Sequence, residues 1–469
     1  MNPLAPNDID YSSGSSTSCT SAQKMSRFKK PFLFKASFAA TFAASLFLLA
    51  CSTSQADSKH ASVATHAQPQ KISIPKGAPI SNLDPRSVLL ISIDGLRPDY
   101  LSQTASPNIF NLGLSGVQGD GMTPSYPSLT FPNHFTLVTG LRPAKHGIVA
   151  NEIKDPNMPE RFNLGRRDII SDPRWWLGEP VWVTAQKQGL KSGTMYWPGS
   201  ETEIMGVRPT YYLPYDQTKP REDRVAQVLE WLDLPQSSRP QFLTLYFEDV
   251  DTAGHKFGPK SAEVAAAVVD VDNAIGLLVQ GLKDRNIFDK LNIILVSDHG
   301  MAPVLEDKRI NVADILKEFP EAESIGSGAL MGVFAKDPDL QKRIVKRFND
   351  FNSILYKAYL KADLPARFHY NDSPRIPDVL IVANESAYLQ TQASPGHSTG
   401  GTHGYDNLLL SMRASFIAHG PAFREGIKFG VFDNIQLYSL LCRILNINPS
   451  PNDGSLSGLE SMLRKGAKK

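Results

Sequence analysis

VLLISID, residues 88–94, is a run of apolar and β-branched side chains that ends on a carboxylate and is followed by Gly95. A strand buried on both faces reads as such an unbroken run, whereas a half-exposed strand alternates. A carboxylate directly after a buried strand is costly unless it has partners. In open α/β sheets the carboxyl ends of the strands are where ligands bind. Asp94 is therefore a candidate ligand, and equally a turn aspartate before a glycine.

Three more runs repeat the pattern. FLTLY at 242–246 leads into Glu248, Asp249 and Asp251. NIILV at 292–296 ends in Ser297-Asp298-His299-Gly300, and ASFIA at 414–418 ends in His419-Gly420-Pro421. Helical spacing occupies 221–232 after Pro220, 261–283 after Pro259, and 434–444. Strand and helix alternating in this way predict an α/β fold, a mainly parallel sheet flanked by helices on both faces. Residues from about 301 to 400 differ. Shorter apolar runs there, a helix over 340–358 and strands near 330–335 and 379–382 predict a smaller inserted α/β lobe. No internal repeat is visible.

The chain of 469 residues is 41% hydrophobic and 20% charged, with a net charge of +2, so it is globular in type and carries no case for a nucleic-acid surface. The N-terminus reads as processing rather than fold. Lys24, Arg27, Lys29 and Lys30 precede an apolar run from Phe32 to Ala50, then Cys51. This is the order of a secretory signal, and Leu48-Leu49-Ala50-Cys51 resembles a lipobox, whose cysteine is lipidated. A plain membrane anchor needs a longer unbroken run. Met25 gives the better-shaped signal, which places residues 1–24 upstream of the true start. We expect residues 1–50 to be a signal segment, 51–84 a polar tether and 85–469 the catalytic domain. The protein would then be an exported lipoprotein, periplasmic or on the cell surface, held to the bilayer through Cys51. The three cysteines, Cys19, Cys51 and Cys442, build no disulfide framework.

The chemistry-bearing residues are spread along the chain. Asp251 and His255 lie four apart around Gly254. Asp298 and His299 leave a buried strand, and His403 sits between glycines 401 and 404. Each has an ordinary reading as loop or turn. Together with Asp94 they make three Asp and three His, enough for two metals at three ligands apiece. Such a set suits zinc or another borderline metal. Three protein ligands leave an open position, and two close metals suit in-line phosphoryl transfer. The stretch 126–151, YPSLTFPNHFTLVTGLRPAKHGIVAN, supplies the remaining parts. Thr130 reads as a helix N-cap with Pro132 in the first turn, and also as a nucleophile at a helix N-terminus that suits phosphate. Asn151 carries an amide able to donate to a phosphate oxygen.

These motifs, with Asp94-Gly-Leu-Arg, Thr130-Phe-Pro-Asn-His, Gly147 to Asn151, Asp251 to His255, Ser297 to Met301 and Thr402 to Asn407 in order, resemble the nucleotide pyrophosphatase/phosphodiesterases of the alkaline phosphatase superfamily. The resemblance runs from about 87 to 445. It implies an alkaline phosphatase-like fold and two zinc ions, one on Asp251, His255 and His403, the other on Asp94, Asp298, His299 and the Thr130 oxygen. It implies that Thr130 attacks phosphorus to form a phospho-threonine, that water activated at the first group releases it, and that Asn151 and the Thr130 N–H steady the equatorial oxygen. Phe131 and Tyr246 would sandwich a nucleobase, although core packing is their ordinary reading. Trp175-Trp176, Trp182 and Trp197-Pro198 match family landmarks in a packing role. The expected substrate is a nucleotide phosphodiester or anhydride, cleaved to a nucleoside 5′-monophosphate, with no obligate protein partner evident. Within the superfamily the alternatives are a choline-type lysophospholipid phosphodiesterase and a phosphonate hydrolase. Outside it the alternative is a metal-binding lipoprotein without turnover. Vertebrate members carry disulfide-rich N-terminal and nuclease-like C-terminal domains, and this sequence shows neither, so it resembles a minimal bacterial catalytic domain.

Overall fold

The structure is a computed structural model, and it describes residues 76–352, 354–391 and 400–465. The signal segment, Cys51 and most of the expected tether lie outside those residues. The strands that matter here are β1 (Val88–Ile93), β2 (Val117–Gly119), β3 (Ser192–Met195), β4 (Tyr211–Leu213), β5 (Phe242–Phe247), β6 (Asn292–Val296), β7 (Glu323–Ile325), β8 (Leu330–Phe334), β9 (Tyr356–Leu360), β10 (Val379–Ala383), β11 (Phe416–His419) and β12 (Ile427–Phe429).

An eight-stranded sheet runs in the order β12-β2-β11-β6-β1-β5-β3-β4. Pairing is parallel along β6-β1-β5-β3-β4 and between β12 and β2, and only β11 runs against its neighbours. The unbroken apolar run of β1 is explained by two cores. Val88 and Leu90 point into one, Leu89, Ile91 and Ile93 into the other. Period-two alternation is present, but both faces are dry.

Helices cover both faces. The first core takes in α2 (Thr130–Thr139) and the late helix Gln436–Leu445. The second takes in Arg221–Asp233 and the 23-residue helix Ala262–Asp284. Ser261 caps that long helix, its side chain accepting from the Val264 N–H. A third core lies under a separate antiparallel sheet in the order β7-β8-β10-β9, packed with Ile344 and Phe348 of the helix Pro338–Asn352.

Several expectations need correction. The lobe helix stops at Asn352 rather than 358, and 356–360 form β9, where Tyr356 and Ala358 are buried and Lys357 is exposed. The fourth run starts at Phe416 rather than Ala414 and is antiparallel to β6. The end of the expected tether is packed on the fold: the Ile80 N–H donates to the Arg285 carbonyl, and Ile80 is 7% exposed.

Candidate active site

The parallel register brings the carboxylates together. β5, β1 and β6 are neighbours in register, Ile93 opposite Phe247 and Ser92 opposite Val296, so their carboxyl ends open at one edge. Asp94 follows β1 and Asp298 follows β6. Asp251 and His255 sit one turn apart on the helix Asp249–Phe257 that follows β5. The Gly95 N–H donates to Asp298 Oδ1 at 3.2 Å. Gly300 is needed behind them, because a Cβ there would stand 2.0 Å from the Ser411 carbonyl oxygen. Thr130 arrives from outside the sheet at the start of α2, and His403 from the loop after the lobe.

The six expected donors fall into two groups, Asp94/Asp298/His299 and Asp251/His255/His403, each with its ligand atoms within 4.8 Å of one another. Histidine tautomers follow from the backbone. His255 Nδ1 is 3.0 Å from the Gly401 carbonyl, His403 Nδ1 is 2.9 Å from that of Ser128, and His299 Nδ1 is 2.8 Å from that of Gly300. A carbonyl only accepts, so each Nδ1 carries a proton and each ring turns its Nε2 inward. His255 Nε2 and His403 Nε2 then face each other at 3.1 Å, an arrangement that calls for a cation or a proton between them.

The carboxylates carry the same message. Asp94 Oδ1 and Asp251 Oδ1 are buried without a hydrogen-bond partner, and Asp298 Oδ2 lies 2.9 Å from His299 Nε2. Burial, with the charges of Asp298 and Asp251, holds the Asp94 carboxyl well above its usual range, and burial raises Asp251 as well. Burial also opposes charge on Asp298, but His299 and His134 outweigh it and hold that carboxyl well below the usual range. Burial and the neighbouring His299 and His255 push His403 well down. Three acids and three imidazoles with unsatisfied inward atoms fit divalent cations, and the mixed N/O donor set fits zinc among them.

Thr130 Oγ1 lies 3.1 Å from His299 Nε2. It is not the helix cap that local rules allow. Leu129 holds the cap position, no side chain caps there, and Thr130 is the first helical residue. The exposed helix N-terminus is served instead by Asn151, whose Oδ1 accepts from the Phe131 N–H at 3.1 Å. Tyr246 also differs from expectation. Its ring is 9% exposed and edge-on to His134, and its hydroxyl donates to Asp94 Oδ2 at 2.7 Å. It walls, rather than caps, a cavity of about 370 Å³ beside Thr130 that Phe131, Tyr215, Tyr196 and Trp197 also line. Tyr215, edge-on to Tyr246 at 6.1 Å, was not read from the sequence. Neither was Glu201, which accepts from the Tyr215 N–H and sits in the same cavity. Their signal was the nearby Trp197-Pro198 landmark. His134, a third residue passed over, is fully buried. Its Nδ1 donates to the Thr130 carbonyl at 3.0 Å and lies 3.3 Å from Asp298 Oδ2, and its Nε2 pairs with Ser92 Oγ at 2.8 Å.

Comparison with known proteins agrees with this geometry. The family profile described as Type I phosphodiesterase / nucleotide pyrophosphatase matches residues 88–406. Ectonucleotide pyrophosphatase/phosphodiesterase family member 3 of Bos taurus is 40% identical over 393 residues, 80% of this chain and 44% of that protein. Venom phosphodiesterase CdcPDE of Crotalus durissus collilineatus is 40% identical over 387 residues, 80% of this chain and 46% of its own length. The chain thus spans less than half the length of these curated relatives. The structure of human ectonucleotide pyrophosphatase / phosphodiesterase 5 superposes with a TM-score of 0.77 at 34% identity, covering 81% of this chain and 100% of that one. An inactive form of the murine counterpart, solved in complex with AMP, gives 0.76 at 34% over the same shares. On sequence and on an alkaline phosphatase-like fold alike, the chain belongs to the Type I phosphodiesterase / nucleotide pyrophosphatase family.

Proposed function

We propose that the chain hydrolyses phosphodiester or phosphoanhydride bonds of nucleotides and releases nucleoside 5′-monophosphates through a covalent intermediate on Thr130. The observation that carries this reading is the position of Thr130 Oγ1. It stands at a helix N-terminus, beside the Asp94/Asp298/His299 group and on the wall of an aromatic cavity. Asp94, Asp298, His299 and the Thr130 oxygen would hold one zinc ion, and Asp251, His255 and His403 a second. When bound, these ions supply charge that favours the alkoxide of Thr130 and offsets charge on phosphoryl oxygens.

The chain's own residues do the rest. The Thr130 hydroxyl gives its proton to solvent and the Oγ1–P bond forms as the bond from phosphorus to the leaving oxygen breaks, and that oxygen takes a proton from solvent. Water then adds to phosphorus, the Oγ1–P bond breaks, and the threonine hydroxyl is restored. The Thr130 N–H, first in its helix, has no intrahelical acceptor and faces the phosphate position. The Asn151 carbonyl is occupied by Phe131 N–H, which orients its amide group for an equatorial oxygen. Phe131, with Tyr215 and the Tyr246 wall, offers ring faces and edges to a base. The AMP complex of the murine relative supports a nucleotide occupant.

Export and lipid attachment at Cys51 belong to the same proposal and rest on the sequence. Relatives named as ecto- and venom enzymes support export. Among the described residues no helix is long and apolar enough to cross a membrane. The test of the chemistry is Thr130→Ala. Release of nitrophenol from a nitrophenyl ester of a nucleoside 5′-monophosphate falls by on the order of a thousandfold or more, while the bound metal, measured by mass spectrometry, stays within twofold. Unchanged turnover removes Thr130 as the nucleophile.

A further inference from the structure

We propose that the cavity between Asn151 and the lobe sheet is a second substrate pocket, one that takes the uncharged nucleoside leaving from a cleaved phosphodiester. This rests on the phosphodiesterase reading above. The cavity measures about 340 Å³, at the lower end of the ~300–1,000 Å³ of small-molecule sites. Leu129, Val149 and Asn151 form one wall, and Ile325, Ser327 and Leu330 of the lobe form the other. Leu129 directly precedes Thr130, and Asn151 accepts from the Phe131 N–H, so the cavity borders the start of the helix that carries the nucleophile. It is nonetheless separate from the aromatic cavity, since Leu164 is the one residue lining both and forms the partition.

The cavity lies on the flank that carries His403. A Cβ on Gly404 would stand 2.9 Å from Leu129 Cδ2 and 3.4 Å from Ala329 Cβ. One on Gly328 would stand 3.7 Å from Thr402 Oγ1. The segment bearing His403 is therefore packed between Leu129 and the lobe turn 326–329. In an in-line displacement the entering and leaving oxygens lie on opposite sides of phosphorus. The two substituents of a diester must then occupy different places, and among the described residues two cavities meet at Leu164.

Charge selects the occupant. Among the described residues Arg375 is the only cation in the lining, and each of its three nitrogens is engaged: Nε with Asp155 Oδ2, Nη1 with the Gly147 and Trp175 carbonyls, Nη2 with the Arg174 carbonyl. Glu152 adds a carboxylate to the wall. A pyrophosphate leaving group finds no free positive charge there. A nucleoside finds apolar surface from Leu129 and Leu330 and polar groups on Ser327 and Asn163.

Two variants add bulk from opposite rims, Ser327→Trp and Asn163→Trp, both at exposed positions where the cores are not touched. For the metal-replete chain, kcat/KM is measured on adenylyl-adenosine, on the methyl ester of AMP and on ATP. Intrinsic leaving-group reactivity cancels when each variant is compared with the parent. Expected is a loss of about tenfold or more on the dinucleotide relative to both the methyl ester and ATP, in at least one variant. Unchanged ratios in both variants overturn the pocket. Equal losses on ATP and the dinucleotide overturn its preference for an uncharged group. Absence of turnover of all three substrates by the parent chain overturns the phosphodiesterase reading itself, and the pocket with it.

Discussion

Replacing Tyr246 with Phe separates two roles that the sequence alone merges. The ring and its place in the aromatic wall are kept; the 2.7 Å hydrogen bond to Asp94 Oδ2 is lost. That bond joins a buried phenol to a buried carboxylate, and burial together with the Asp94 charge keeps the phenol protonated far above neutral pH. A hydrogen bond to a charged group contributes about 1.5–3 kcal/mol, which corresponds to roughly 10–150-fold in an equilibrium constant. Its work here is orientation. With Oδ2 held by Tyr246, Asp94 Oδ1 is left without a partner and directed at His299, whose Nε2 lies 3.5 Å away. Partners that orient metal-ligating groups are worth about 10–100-fold in metal affinity. Tyr246→Phe should therefore weaken one of two zinc-binding steps by about 10–100-fold in a titration of the metal-free chain against a chromophoric chelator. KM for a nucleotide ester at saturating zinc should stay within about threefold, because the stacking surface is intact. Zinc affinity unchanged within twofold refutes the orienting role. A large rise in KM with unchanged zinc affinity returns Tyr246 to the base platform expected from the sequence.

Two further predictions concern stability. His146 is fully buried, and burial pushes its imidazole down to about 3. Since the unfolded chain protonates near 6.5, the stability tied to neutral His146 is complete above that pH and lost as pH falls from about 6.5 towards 3. Between pH 7 and 5 the loss is about 2 kcal/mol. His146→Gln should flatten the pH dependence of urea unfolding by that amount in chelator-treated protein, and an unaltered slope contradicts it. Arg224 is 2% exposed and bonds Glu248 through two nitrogens at 2.6 and 2.8 Å. Arg224→Met leaves a carboxylate unpaired and should cost about 3–5 kcal/mol by urea unfolding, with Arg224→Met/Glu248→Gln recovering a large part. A loss below about 1 kcal/mol contradicts the reading.

Much of the fold was legible because burial on both faces leaves a local mark. β1, β5 and β6 are continuous apolar runs, and each is followed by a carboxylate that is costly there unless it has partners. The six donors could be read for the same reason. What escaped was set by contacts distant in sequence. No side chain near Thr130 caps its helix; Asn151, twenty residues on, accepts from the Phe131 N–H, and no local capping rule contains that. The bond from Tyr246 to Asp94 depends on β1 and β5 pairing with Ser92 opposite Tyr246, which places the phenol next to the carboxylate two residues further along. β9 was misread for a different reason. Tyr356-Lys357-Ala358 alternates as a half-buried strand should, yet it follows a helix so closely that the helical period was carried through it.

The histidine pinning explains why so much of the chain converges on one site. Each imidazole is held through Nδ1 by a backbone carbonyl, and for two of them that carbonyl belongs to another element. His403 is held by Ser128, two residues before Thr130. His255 is held by Gly401, two residues before His403. The Thr130 segment, the His403 loop and the Asp251/His255 helix are thus joined in that order by two histidine-to-carbonyl contacts, and moving one member tilts the Nε2 of the next. Against that rigidity stands the repulsion among Asp94, Asp251 and Asp298, which with burial raises the Asp94 carboxyl well above its usual range. A cation that binds the folded arrangement and not the unfolded chain relieves the repulsion and adds RT ln(1 + [L]/Kd) to stability. On the proposed reading, catalytic geometry and metal-dependent stability would come from the same six side chains.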